Sequence, residues 1–292
     1  SIDGTIKYSI GNVSVPDIDI SNLPDVLAQP GTNLMLYNPC LYLSVNNPVW
    51  ESGVHARTGL QINSYHGENY STYTLDNGYF DIYAKAVNNY CISPSDPLSG
   101  DAEFANYTHV AFSQLSDVLS GDGLPDKLKV ELTDPNLPRQ DIKNFKVGYD
   151  YGEIKGQYKF VAPLAFKNGS FIKYTDKLDG WSSEDLDAVT IQKLEVNFDI
   201  TTDIPIAIEF TGYPIDKNGN RMTDVTISPV TIDANAKDQS IRLSVTGSIK
   251  DLDGMEFEAK ANAQEGKALD PNMSIALKNV RPCVSGYYEK EL

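Results

Sequence analysis

Histidine and cysteine are scarce in this chain, three of each in 292 residues, and their scarcity limits the chemistry available. His55, His66 and His109 belong to no HExxH or related metal-ligand spacing. Cys40, Cys91 and Cys283 show no CxxC or mixed Cys/His spacing, so a structural zinc is not expected. The cysteines read either as small buried residues or, in an oxidising compartment, as one pair plus a spare. If a pair forms, Cys40 with Cys91 is expected, because both flank the strands of the first half. A GxSxG nucleophile elbow is missing, and so is a glycine-rich phosphate cradle. A Ser-His-Asp site assembled from distant residues stays open, because triads form in space. No apolar run approaches the roughly 18 residues of a membrane-spanning helix. Base is the minority charge: 24 Lys and Arg face 40 Asp and Glu, for a net charge of -16. Nucleic acid and anionic membrane surfaces both need a basic footprint, so neither is an expected partner. The acidic surplus serves solubility.

What the chain does have is alternation. Leu194, Val196, Phe198 and Ile200 fall on every second position, and Ile204, Ile206, Ile208 and Phe210 repeat the pattern. Period two places one side of each run on a buried strand face. Further strands are expected at 5–10, 13–15, 128–132, 145–149, 158–161, 225–227, 241–245, 255–259 and 273–277. Leu34 to Val45 reads as a strand pair broken at Pro39, with another strand around Leu60-Gln61-Ile62. Asn77-Gly78 and Asn218-Gly219 are hairpin-turn signals. Helix is expected only in short pieces: a turn at 22–27 capped by Asn22, a segment from Phe104 to Leu119, and another from Trp181 to Leu186. Leu23-Pro24-Asp25-Val26-Leu27 is echoed by Leu124-Pro125-Asp126-Lys127-Leu128, which suggests either a duplication or coincidence.

These readings predict an all-β protein of two β-sandwich, immunoglobulin-like modules with one or two short helices. The expected division is a β-rich module with an inserted helix over 1–125 and a sandwich module over 126–292, with its core from about 186. The chain begins at Ser1 without a Met, so a processed or truncated N-terminus is expected. Targeting information would lie in the missing segment.

Glycosidase chemistry needs two carboxylates held roughly 5–10 Å apart. No pair stands out: Asp185 and Asp187 read as a solvated helix, and Asp251 and Asp253 as a turn. Asp216-Lys217-Asn218-Gly219-Asn220 and Gly121-Asp122-Gly123-Leu124-Pro125-Asp126 only begin a calcium loop. The same residues are ordinary turn formers. No metal and no cofactor are therefore expected.

Tyrosine is abundant, 17 against 10 Phe and 2 Trp. Tyr65, Tyr70, Tyr73, Tyr79, Tyr83 and Tyr90 crowd one stretch. They read either as cross-strand packing or as exposed rings that stack on sugars. Tyr79 and Tyr83 share one face of a strand, with Phe80 and Ile82 on the other. Asn69, Asn77 and Asp81 are the polar neighbours that would meet sugar hydroxyls.

Leu115-Ser116-Asp117-Val118-Leu119 followed by Leu124-Pro125-Asp126 resembles Bacteroidetes surface lipoproteins of the hypothetical or cell-adhesion type. So does Ile204-Pro205-Ile206 leading to Pro214-Ile215-Asp216-Lys217-Asn218-Gly219-Asn220. The likeness covers about half the chain and rests on turn chemistry, so it transfers no site residue. It implies export to the surface or outer membrane of a Gram-negative bacterium. Membrane attachment would run only through an N-terminal lipid anchor outside this sequence. The expected role is non-catalytic binding or adhesion toward a glycan or a surface protein. The alternatives are a carbohydrate-active enzyme using a carboxylate pair and a structural component of a surface fibre.

Overall fold

The computed structural model describes residues 1–9, 13–21, 23, 25–97, 106–152, 154–182, 189–270 and 272–288. The architecture is all-β, and among the described residues helix is confined to three short 3-10 turns, at Asp25–Ala28, Trp50–Ser52 and Ser113–Asp117. The chain divides into two compact units: residues 1–23 with 34–165, and residues 24–33 with 166–292.

The first unit holds β1 (Ile2–Ser9), β2 (Val13–Ser14), β3 (Cys40–Asn46), β4 (Ala56–His66), β5 (Asn69–Thr74), β6 (Phe80–Ile82), β7 (Val87–Ser93), β8 (Thr108–Ala111), β9 (Lys127–Phe145) and β10 (Gly156–Val161). One sheet runs β1-β9-β4-β5, with β2 on β9 and β6 on β4. The other runs β10-β3-β7-β8, with β7 and β8 parallel. Residues 126–165 belong to this unit because β9 pairs with both β1 and β4. The division therefore falls at 165/166, beyond the expected 125/126.

The second unit holds β11 (Phe171–Leu178), β12 (Val189–Thr202), β13 (Ile208–Ile215), β14 (Val225–Ser228), β15 (Val230–Ile232), β16 (Gln239–Ile249), β17 (Gly254–Asn262) and β18 (Ile275–Tyr288). Its sheets run β11-β17-β13-β15 and β14-β16-β12-β18. Leu194, Val196, Phe198 and Ile200 of β12 are all buried, as their alternation implies. They meet Ile208 of β13, Ile232 of β15 and Met255 of β17 in one core, which makes the unit a sandwich.

Several local expectations are corrected. The second alternating run becomes a strand only at Ile208, because Pro205 has no N–H to give a ladder. Phe104 and Ala105 lie outside the described residues, and the described part of the expected helix holds β8 followed by the 3-10 turn. Leu115, Val118 and Leu119 are nonetheless buried. Asn22 and residues 183–188 lie outside the described residues, so the helix expected from Trp181 does too in the main. Phe145 ends β9, and Lys146 to Tyr149 turn away. The two echoed pentapeptides fold differently: Asp25, Val26 and Leu27 lie in a 3-10 turn, whereas Lys127 and Leu128 begin β9.

Asn77-Gly78 does not close a hairpin. Both β5 and β6 pair with β4, β5 along Gln61–His66 and β6 along Ala56–Thr58. The residues between them cross over Gly59, where any Cβ would stand 2.8 Å from the Gly78 carbonyl oxygen and 2.2 Å from Thr133 Oγ1. Only glycine fits there. The true hairpin joins β4 to β5 through Gly67-Glu68, with His66 opposite Asn69 and Gly67 at φ 62°.

Candidate functional site

Period two in β6 turns Phe80 and Ile82 inward at 5% and 6% exposure. Tyr79 and Tyr83, which flank the strand, are 45% and 44% exposed. Arg57 of β4 sits opposite Asp81 in the ladder. Its Nε donates to Asp81 Oδ1 at 2.9 Å, and its guanidinium lies 3.9 Å from the centre of the Tyr79 ring. The ring is therefore held from one side by a cation. Tyr83 is held by its backbone: its N–H donates to Asn88 Oδ1 at 3.0 Å, and its carbonyl accepts from Asn88 Nδ2 at 3.1 Å and Asn47 Nδ2 at 3.2 Å. Both rings are thus presented from a braced strand.

Asn77 is exposed in the crossover just before Tyr79. Asp81 spends its carboxylate on Arg57, so its role is to orient that guanidinium. Asn69 stands apart, nine ladder positions along β4 from Asp81 and so about 30 Å away. Arg57 is the member that sequence reasoning missed, because only strand pairing brings it to β6. Of the other tyrosines in this stretch, Tyr65 and Tyr70 meet at a tilt across β4 and β5 at 5.0 Å with Tyr70 59% exposed, and buried Tyr90 packs edge-on against Phe80 at 4.9 Å.

The histidines do not converge. His55 is bonded through its backbone to Gln140, His66 ends β4, and His109 lies on β8. His109 Nε2 is 3.1 Å from Ser93 Oγ, which is 3.7 Å from Cys91 Sγ. Hydrogen bonding from Cys40 outweighs burial and lowers the Cys91 thiol below its usual value, while the same bond and burial push Cys40 up. The arrangement has the parts of an activated nucleophile. Cys91 and Ser93 are fully buried, however, so the sulfur meets no substrate in this fold. All three cysteines are free, and Cys283 is exposed. The expected Cys40–Cys91 bridge is not formed. Cys91 pairs with Tyr42, two residues from Cys40, so the two free thiols are diagonal neighbours, close enough to hydrogen-bond.

Every Asp or Glu displaced from its ordinary value among the described residues is displaced downward. A general acid at neutral pH needs the opposite shift. Asp185 and Asp187 lie outside the described residues. Asp253 accepts from the Ser182 N–H at 2.9 Å. Asp216 accepts the N–H groups of Asn218 and Asn220 at 2.8 and 2.9 Å, the work of a turn residue. Among the described residues no group of three or more His, Cys, Asp or Glu is placed to hold a metal ion.

A second feature lies between the sheets of the first unit, a cavity of about 340 Å³. Leu41, Leu43 and Val45 of β3 form one wall. Thr58 and Leu60 of β4 face them, with Phe80, Ile82, Val130 and Leu132.

No protein-family model and no curated protein matches the chain. Among solved structures, the crystal structure of a "putative secreted protein" from Parabacteroides distasonis superposes with a TM-score of 0.61. The match covers 97% of this chain and 89% of that chain at 14% identity. A structure of infectious bursal disease virus, Gx strain, aligns over 96% of this chain and 71% of that chain at 10% identity, but its TM-score of 0.20 carries no argument. The chain's likeness to known proteins is one of architecture, shared over nearly its whole length with the Parabacteroides structure.

Proposed function

We propose that this chain is an exported, non-catalytic binding protein of a Gram-negative cell surface that holds a glycan against the Tyr79–Tyr83 edge. The observation that carries the reading is the pair of exposed rings on one side of β6, braced by Arg57 and Asn88. Bracing lowers the entropy lost on binding. The C–H faces of a sugar pack on such rings, and Asn77 offers an amide beside them. The Parabacteroides structure's description as a secreted protein supports export. A glycan array tests the proposal, with Arg57→Met as the probe of bracing. Selective binding by the native chain, weakened several-fold in the variant, is expected. No binding on a broad array would remove the glycan reading.

One observation favours a second reading, assembly of a surface fibre by strand addition. β18 pairs only with β12 among the described strands, and its residues are exposed from Ile275 to Tyr287. Leu277, Val280 and Val284 are 49%, 54% and 57% exposed. A long apolar edge is a template for another strand. Lys278, Arg281 and Pro282 limit indiscriminate pairing. Concentration-dependent filaments that vanish in Val280→Lys would favour this reading, and a strictly monomeric native chain would end it.

A further inference from the structure

The inward faces of the first unit's strands carry chemistry of their own, separate from the Tyr79–Tyr83 edge. We infer that the cavity between its two sheets is a second binding site, which takes an uncharged apolar small molecule about the volume of two benzene rings.

Size is the first argument. A buried apolar cavity of ~150 Å³ accepts benzene. The volume here, about 340 Å³, is more than twice that. The walls come from alternate positions on successive strands, so the strand period delivers a continuous aliphatic lining rather than a chance gap.

The polar groups at the walls are the second argument, because they are few and most are engaged elsewhere. Thr58 Oγ1 donates to the carbonyls of Gly59 and Thr133 at 3.0 and 3.2 Å. Tyr158 Oη lies 2.8 Å from the carbonyl oxygens of both Pro16 and Asp17 and donates to them. Asn136 Nδ2 donates to the Asp134 carbonyl at 2.8 Å. Among the described residues Arg57 is the one charged residue at the walls, and its guanidinium is committed to Asp81 and the Tyr79 ring. Ordered water needs two to four convergent polar partners, which this lining does not offer. An anionic head group would find no free cation there. An apolar, uncharged occupant is what remains.

Access is the third argument. Ile154, at the rim, is 53% exposed. Beside it Gly156 has no side chain, and a Cβ there would make only ordinary contacts, 3.9 Å to both Leu43 Cδ1 and Val45 Cγ2. A side chain at 156 would therefore point at the cavity wall without straining the backbone.

The test uses the full chain and N-phenyl-1-naphthylamine, a neutral probe that fluoresces in apolar surroundings. Saturable binding of one probe per chain is expected, with a melting temperature that rises with probe concentration. Gly156→Phe, which fills the mouth, should weaken binding tenfold or more while circular dichroism stays native. Ala56→Phe, which fills from the β4 wall, should do the same and guards against failure of the first variant to fold. Absence of saturable binding by the native chain overturns the inference. So does undiminished binding in both folded variants. Displacement of the probe as chains associate, seen by light scattering, would assign the cavity to a strand of a second copy and overturn the small-molecule occupant.

Discussion

At the scale of single residues, the clearest constraint is Gly219. Only this residue of the Asp216–Asn220 loop has a positive φ, 76°. The loop is therefore not the two-residue turn that Asn218-Gly219 suggests, which needs positive φ at both positions. Asp216 closes it from one end: its N–H donates to the Asn220 carbonyl at 3.0 Å and its carbonyl accepts from Gly219 at 2.8 Å. Gly219→Val forces a β-branched residue into the left-handed region and should cost about 1–2 kcal/mol. A urea denaturation midpoint that does not move would refute this conformation. The turn's place was legible in the sequence and its type was not, because Asn-Gly serves several turn geometries. The aromatic site shows the same limit. Strand parity separates Tyr79 and Tyr83 from Phe80 and Ile82, but Arg57 and Asn88 reach them only through pairing that parity does not reveal.

At the scale of elements, the outer face of the β11-β17-β13-β15 sheet carries an ion network. Lys177 lies opposite Glu256 in the ladder, and their charges meet at 3.0 Å. Arg221 binds both Glu256 and Glu258, while Lys173 meets Glu258 at 3.0 Å. Burial pushes both glutamates up, but the hydrogen bonds from Arg221, Lys177 and Lys173 outweigh it, and both end below the ordinary value of 4.5. A carboxylate lowered on folding stabilises fully above its unfolded pKa. This stabilisation is therefore complete above about pH 4.5 and is lost as pH falls through the lowered values. Arg221→Ala should cost about 1–2 kcal/mol at neutral pH, a buried-pair figure discounted because Arg221 is 38% exposed. It should also flatten the acid limb of a stability-against-pH curve. An unchanged acid limb would show that the network does not couple to folding. Elements were legible where one face is buried, as in β12. β18 was read only to Leu277, because its later residues are exposed on both faces and show no alternation. The Asn77-Gly78 hairpin failed for a different reason: β4 is long enough to pair with β5 and β6 end to end.

At the scale of the molecule, the chain forms two β units with a net charge of -16, and the uncharged ligands proposed for it are of a kind that this charge does not repel. The all-β class followed from strand periods spread along the whole chain. The division between units did not, because β9 joins the first unit by pairing with strands far away in sequence, which composition does not reveal. The two candidate sites use opposite faces of one short strand. Tyr79 and Tyr83 face out from β6, while Phe80 and Ile82 line the cavity.

The central claim, that the outward face binds glycan, is tested most directly by Tyr79→Ala combined with Tyr83→Ala, measured together by glycan-array binding and thermal melting. The account predicts that binding falls at least tenfold while the melting temperature stays within about 2 °C, since exposed substitutions usually change stability by less than ~0.5 kcal/mol. Retained binding, or unfolding of the double variant, would contradict it.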